Sequence, residues 1–182
     1  MNRILILSAL FIYPVLTSGQ TNNFRKYVNQ TYKCSFEIPN YWTIKFSKLQ
    51  GGFVCIPSTN FQKDIYDDCY DGIVFRLDFY TSNLDSTLLE EGLYTKDGGK
   101  YYTSDRIQNG LPCEYVEGKN WNGIYHNNIC GISCKGDGFH AAAGQCETIY
   151  FSNGQTTICI NTNGRQFEDA ILKRLIKSFK FN

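Results

Sequence analysis

The fifteen residues from Phe167 to Phe181, next to the end of the chain, constrain it more than any other stretch. Set on a helix at ~100° per residue, Phe167, Ile171, Leu172, Leu175, Ile176 and Phe179 fall within about half a turn. Asp169, Lys173, Arg174, Lys177 and Lys180 take the other half. Acids (Glu168, Asp169) open the stretch and bases close it, the sense that a helix dipole favours. An apolar arc that wide needs a sheet to lie on. The segments before it supply one, as a series of short alternating runs.

At 182 residues the chain is long enough for one domain with a substantial core. Asn2-Arg3, an apolar run from Ile4 to Leu16 and the small residues Thr17-Ser18-Gly19 read as a secretory signal peptide over 1–19. A polar leader follows over 20–31, and the single domain spans 32–182. Asn29-Gln30-Thr31 fits a glycosylation acceptor, but a polar turn is the favoured reading. One of the eighteen basic residues, Arg3, leaves with the signal peptide, so the remaining bases and acids balance. A neutral mature chain argues against nucleic acid and anionic membranes as partners. Once the leader is removed, no segment is apolar enough for an integral membrane protein, and the expected location is periplasmic or extracellular.

Tyr32, Cys34, Phe36 and Ile38 alternate with polar residues and predict a strand ended by Pro39-Asn40. Trp42, Ile44 and Phe46 predict a second, and Phe53 to Ile56 a third. Ser58 to Asp71 is a long polar excursion. From Gly72 the alternation is clear: Ile73, Phe75, Leu77 and Phe79 face one way, Val74, Arg76, Asp78 and Tyr80 the other. Leu84 to Glu91 predicts a short helix capped by Asn83 or Ser82 and ended at Gly92. Asn109-Gly110 predicts a hairpin between Tyr101–Ile107 and Pro112–Glu117, and Trp121-Asn122-Gly123 a further reversal. Gly136 to Gly144 reads as a small-residue loop. Asn153-Gly154 predicts a two-residue hairpin with Phe151 opposite Thr156 and Ile149 opposite Ile158. The sum is an α+β fold, an antiparallel sheet flanked by helices.

Eight cysteines in an exported chain predict disulfides. Cys55 and Cys69 flank the polar excursion. Cys134 and Cys146 bracket the loop around His140, and Cys113 and Cys130 the reversal at Asn120–Gly123. Cys34 and Cys159 remain as a fourth pair.

Two phrases add a resemblance. Phe36-Glu37-Ile38-Pro39-Asn40-Tyr41-Trp42 resembles the F-x-I-P-x-x-W opening of PsbP-like domains. Ile171-Leu172 through Ile176-Lys177-Ser178-Phe179-Lys180-Phe181 resembles their closing helix and S-F-x-F end. The resemblance to this family, which includes Mog-type proteins, implies an α/β/α sandwich and a noncatalytic binding or accessory role. Neither phrase is a site motif, so it implies no site residue.

The chemistry-bearing residues form no complete catalytic set. Asp64, Asp67, Asp68 and Asp71 lack the alternation of a calcium loop and read as a solvated acidic loop. His140, with Asp137 among glycines, is where a small hydrolase would be centred, with a free thiol as nucleophile. His126 has less to support it. Cys130 and Cys134 have three intervening residues rather than the two of a redox pair. Aromatics are 15% of the chain, and Tyr41, Tyr66, Tyr70, Tyr94, Tyr101, Tyr102 and Tyr125 fall partly in turns or on polar faces. The function expected is an exported, noncatalytic module that binds a protein or cell-envelope component, with no cofactor. Trp121, Tyr125, Asp137 and His140 are its candidate binding residues. The alternatives are a carbohydrate-binding module using exposed aromatics, and the His140 hydrolase.

Overall fold

The computed structural model describes residues 23–48, 51–57, 73–90, 92–104, 109–134, 138–162 and 166–182, with backbone alone for 128–134 and 138–144. The elements in chain order are β1 (Phe24–Asn29), β2 (Cys34–Pro39), β3 (Trp42–Ser47), β4 (Gly52–Pro57), β5 (Phe75–Tyr80) and α1 (Leu84–Glu90). After them come β6 (Tyr94–Asp97), β7 (Lys100–Ser104), β8 (Asn109–Pro112), β9 (Glu114–Gly118), β10 (Trp121–Cys134) and β11 (Gly138–Ser152). The chain closes with β12 (Thr157–Thr162), α2 (Asp169–Ser178) and β13 (Lys180–Phe181). A seven-stranded antiparallel sheet, ordered β3-β4-β5-β12-β11-β10-β9, forms the middle layer.

Both faces of that sheet are covered. Phe75, Leu77, Ile149, Phe151, Ile158 and Ile160 face a first cluster shared with β2, α2 and β13. Ile124, Tyr150 and Cys159, the intervening positions, face a second cluster shared with α1, β6 and β7. The central strands β11 and β12 thus alternate between two interiors rather than between core and water.

The expected α+β sandwich, a sheet between helical layers, is corrected by this arrangement. The described residues are mostly strand, and the outer layers are largely sheets themselves, β1-β2-β13 on one side and β6-β7-β8 on the other. At ~1.5 Å per residue, helices of seven and ten residues reach only about 10 and 15 Å and cannot cover seven strands. Phe24–Asn29, assigned to the polar leader, fills part of that gap as β1, with Phe24 and Tyr27 packed on the core. The signal peptide and the acidic excursion fall outside the described residues.

The terminal helix docks as its pattern requires. Ile171 and Leu175 are buried, Leu172 and Ile176 partly so, and Lys173, Arg174 and Lys177 are exposed. It is shorter than expected, because Phe179 turns to extended backbone (φ −62°, ψ 135°). Lys180 and Phe181 then pair with Ser35 and Cys34 of β2, and the Asn182 amide donates to the Lys33 carbonyl at 2.7 Å. The β2 edge supplies hydrogen bonds that a fraying last turn would lack. The short helix α1 forms as expected: Asn83 Oδ1 accepts from the Ser86 amide at 2.8 Å, and Gly92 takes φ +67° just beyond its end.

Turns differ more. Ser152 pairs with Thr157, so the Asn153-Gly154 connection has four residues, with Asn153 Oδ1 accepting from the Gln155 and Thr156 amides. Phe151 therefore faces Ile158 and Ile149 faces Ile160, a shift of two that preserves the faces. Asn109-Gly110 lies inside β8, and the chain crosses at Cys113 into the large sheet instead of returning as one hairpin. The reversal expected at Trp121–Gly123 sits earlier, with Gly118 paired to Trp121. Gly138 to Gly144, expected in a loop, are part of β11.

The disulfide framework is also corrected. Cys34, Cys55, Cys113 and Cys159 are reduced thiols, and no disulfide joins two described cysteine side chains. That removes the Cys55–Cys69, Cys113–Cys130 and Cys34–Cys159 pairings. Cys34 lies in the first cluster and Cys159 in the second, so the central sheet separates them. Cys146 is disulfide-bonded but sits opposite Asn128, whereas Cys134 sits opposite Gly138. Eight strand positions at ~3.4 Å put these two about 27 Å apart along the sheet, well beyond a bridge's span of ~7 Å. The hairpin reverses ahead of His140 and is not symmetric about it.

Candidate functional site

The residues singled out by sequence do not converge. Trp121 is only 6% exposed, and its Nε1 donates to the Phe179 carbonyl at 3.0 Å. Its ring packs against Phe151 and Phe179, with centroids at 4.9 and 5.7 Å, so it holds the chain end rather than facing a ligand. Tyr125 is half-buried and donates to Glu147 Oε1 at 3.2 Å, while Glu147 Oε2 accepts from the Phe167 amide at 2.6 Å. Burial, then the adjacent Glu147, pushes the Tyr125 phenol up to about 12. This is a clasp on the entry to α2. His140 lies on β11 opposite Ile132, its side chain outside the described set, as is Asp137. His126 is buried, with Nε2 2.5 Å from the Tyr94 hydroxyl.

The thiols sit in poor surroundings for a nucleophile. Burial pushes Cys34 up to about 12 and Cys113 to about 11, and raises Cys55 further. Each is protonated at neutral pH, and the thiolate is the reactive form. Of the tyrosines read as surface groups, Tyr94 and Tyr101 are buried and Tyr41 is exposed; Tyr66 and Tyr70 lie outside the described residues.

Two features escaped the sequence reading. The first lies where α2 ends on β13. A cleft of about 280 Å³ is bordered by Lys26, Glu37, Arg174, Lys177 and Lys180. A neighbouring one of about 570 Å³ is bordered by Glu117, Lys119, Lys177, Lys180 and Phe181. They share Lys177 and Lys180. Glu37 is tied to the Arg174 Nε by an ion pair, while Lys26, Lys119, Lys177 and Lys180 are exposed and make no ion pair among the described residues. Asn120 Nδ2 donates to the Phe181 carbonyl at 2.8 Å and, with the Trp121 bond, fixes the wall of the second cleft. Scattered lysines gave no motif; only the return of the chain end to β2 gathers them.

The second feature is a cleft of about 330 Å³ on the opposite side of the central sheet. It is bordered by Asp85 of α1, Lys96 and Tyr101 of the small sheet, and Tyr115, Asn122 and Ser152 of the large one. Lys96 Nζ donates to both Asp85 oxygens, at 2.7 and 3.0 Å, and the Tyr101 hydroxyl also donates to Asp85. The Lys96 and Tyr101 hydrogen bonds hold the Asp85 carboxyl below its ordinary range. Lys96 also lies 4.9 Å from the Tyr101 ring centre. Among the described residues no group of three His, Cys, Asp or Glu side chains is placed to hold a metal ion.

No protein-family model and no curated protein matches the chain. Among solved structures it is similar to a crystal structure from Bacteroides thetaiotaomicron, with 12% identity and a TM-score of 0.47 over 88% of this chain. The chain spans about half of that one, 49%. It is also similar to the solution structure of cyanobacterial PsbP from Synechocystis, with 10% identity and a TM-score of 0.38 over 91% of this chain and 96% of the other. Both are fold-level similarities alone.

Proposed function

We propose that this chain is an exported, noncatalytic binding module that engages an acidic segment of a protein partner at the end of α2. The supporting observation is the pair of clefts meeting at Lys177 and Lys180, with five cations around them against two carboxylates. One of those carboxylates, Glu37, is already satisfied by Arg174. Lys177 in the last helical turn also suits the helix dipole, but Lys26 on β1 and Lys119 before β10 have no such reason to be there. The chain's balanced total charge makes this a local recognition patch rather than a field that draws in any polyanion. Export rests on the apolar run Ile4–Leu16, and the accessory role on the two phrases that resemble PsbP-like domains.

The test is fluorescence anisotropy with a labelled oligoglutamate peptide on the full chain. The triple change Lys119→Gln, Lys177→Gln, Lys180→Gln is expected to weaken binding about tenfold, the sum of several rim charges. Lys45→Gln, Lys48→Gln, Lys100→Gln, exposed lysines that border neither cleft, makes the same change in net charge and is expected to leave binding unchanged. Equal loss in both triple variants, or none in the first, overturns the assignment.

A further inference from the structure

The cleft between α1, the small sheet and the edge of the large sheet has a composition unlike the basic end of α2. The geometry points to a binding site there for a neutral saccharide, one or two sugar rings stacked on Tyr115 with hydroxyls on Asp85 and Asn122. At about 330 Å³ it falls near the lower end of the range for small-ligand pockets, about 300–1,000 Å³.

Three observations carry this. Tyr115 is 61% exposed, the most exposed large hydrophobic side chain of the described core and surface, and it borders a cleft rather than an open face. Its register partner is Ile124, which faces the second cluster, so the ring stands on the covered side of the sheet, at its β9 edge. An aromatic face carries partial negative charge and attracts the polarised C–H groups of a sugar ring.

Asp85 is held from two sides, by Lys96 and by Tyr101, which come from a different element. Three bonds fill both acceptor positions of Asp85 Oδ1 and one of Oδ2, so a carboxylate fixed in this way keeps one position for a hydroxyl donor with no further side-chain ordering. The Asn122 side chain is exposed at the same cleft and makes no hydrogen bond among the described residues, leaving a donor and an acceptor for the ligand. Ser152, by contrast, is engaged by the Thr157 hydroxyl at 2.9 Å and the Gly154 amide at 3.2 Å, and so shapes the floor.

Charge selects the ligand class. The Asp85–Lys96 pair makes the cleft electroneutral, which disfavours a phosphate or a cation and leaves a polyhydroxylated neutral molecule as the best match. This site shares no residue with the α2 clefts, so it stands or falls independently of the acidic-partner reading.

The experiment is saturation-transfer difference NMR on the full chain with glucose, galactose, mannose, N-acetylglucosamine and their common disaccharides, followed by titration of any binder. At least one neutral sugar is expected to receive saturation through its C–H face. Tyr115→Ala is expected to weaken it at least tenfold with an unchanged melting temperature, since the side chain is largely exposed. Asp85→Asn is expected to weaken it similarly, and the Lys119/Lys177/Lys180 triple variant to leave it intact. No transfer to any sugar of the panel, tighter binding of glucose 6-phosphate than of glucose, or full affinity in Tyr115→Ala overturns the proposal.

Discussion

The two faces of the central sheet are built from different materials. The first, under β2, α2 and β13, is closed by aromatic rings in mutual contact: Phe151 stacks on Phe179 at 3.8 Å, and Phe75 meets Trp42 and Phe167 edge-on, the three rings lying within 6.0 Å of one another. The second, under α1, β6 and β7, is smaller and is tied by hydroxyls, Tyr94 to His126 across the layers and Tyr101 to Asp85 within the cover. Dense apolar packing leaves no room for a ligand, whereas a hydrogen-bonded interface can end in an open polar cleft. The first face holds the larger apolar cluster, and the second borders the open polar cleft. Only at its outer rim, where α2 runs out, does the first face offer a binding surface.

The sharpest break of that contrast is Leu175→Asp. Leu175 is fully buried beneath α2, and an unpaired carboxylate there is expected to cost about 3–5 kcal/mol, enough to unfold a marginal domain. Lys173→Asp on the exposed arc removes only a surface pair with Asp169 at 3.6 Å and is expected to change stability by less than about 1 kcal/mol. Urea melts of the two variants decide it, and equal tolerance would show that α2 is not docked.

Gly123→Ala probes the seam between the faces. A Cβ at Gly123 would stand 1.7 Å from the Tyr150 carbonyl oxygen, in the β10–β11 ladder. Backbone on both sides has to move, at an expected ~1–3 kcal/mol or more. Gly52→Ala, whose Cβ would stand no closer than 3.7 Å to a neighbour, is the control, with little expected change. Thermal melts showing the order reversed would place the strands differently.

These elements also show what could be read from the residues. The α2 arc, the α1 cap and the faces of β5 and β12 were legible because each depends on local periodicity or one side-chain bond. The layers over the sheet were not. Alternation in β5 looks the same whether its second face meets water or another cluster, and the outcome depends on Leu84, Leu88 and Tyr94 arriving from elsewhere. The cysteine pairings failed for the same reason, since which face a thiol meets is set by the other strands. Tyr101 was noted among the aromatics, but its partners Asp85 and Lys96 are 16 and 5 residues away on other elements. No spacing rule brings that set together. Trp121, expected among the binding residues, is buried instead, because the chain end folds over it and nothing local shows that.

A smaller effect tests the hydroxyl interface. Tyr94→Phe removes the partner of His126 Nε2 while keeping the ring, and is expected to cost about 1–3 kcal/mol, as the site is buried. The same loss is expected to increase amide exchange in β6 and in the middle of β10, with α2 protection unchanged. Uniform deprotection across both faces would mean that the two clusters do not open independently.

The smallest effect is in the sign of two pH dependences. Glu147, on the first face, is raised above the ordinary carboxyl range chiefly by burial, despite its bonds from Phe167 and Tyr125. Its folded state holds the proton more tightly than the unfolded chain, so its contribution is fully present below the ordinary value and is lost as pH rises through the raised one. Asp85, beside the second face, is lowered by the Lys96 and Tyr101 bonds. Its contribution is present above the ordinary value and is lost as pH falls through the lowered one. Melting temperatures of Glu147→Gln and Asp85→Asn, each referred to the parent chain between pH 3 and pH 7, are therefore expected to diverge. For Glu147→Gln the difference becomes more favourable to the variant as pH rises, because the variant lacks the buried charge. For Asp85→Asn it becomes more favourable as pH falls, because the parent loses its ion pair there. Two curves of the same slope would mean that the carboxylates share one environment, and the contrast between a dry face and a hydrogen-bonded one would fail at its polar groups.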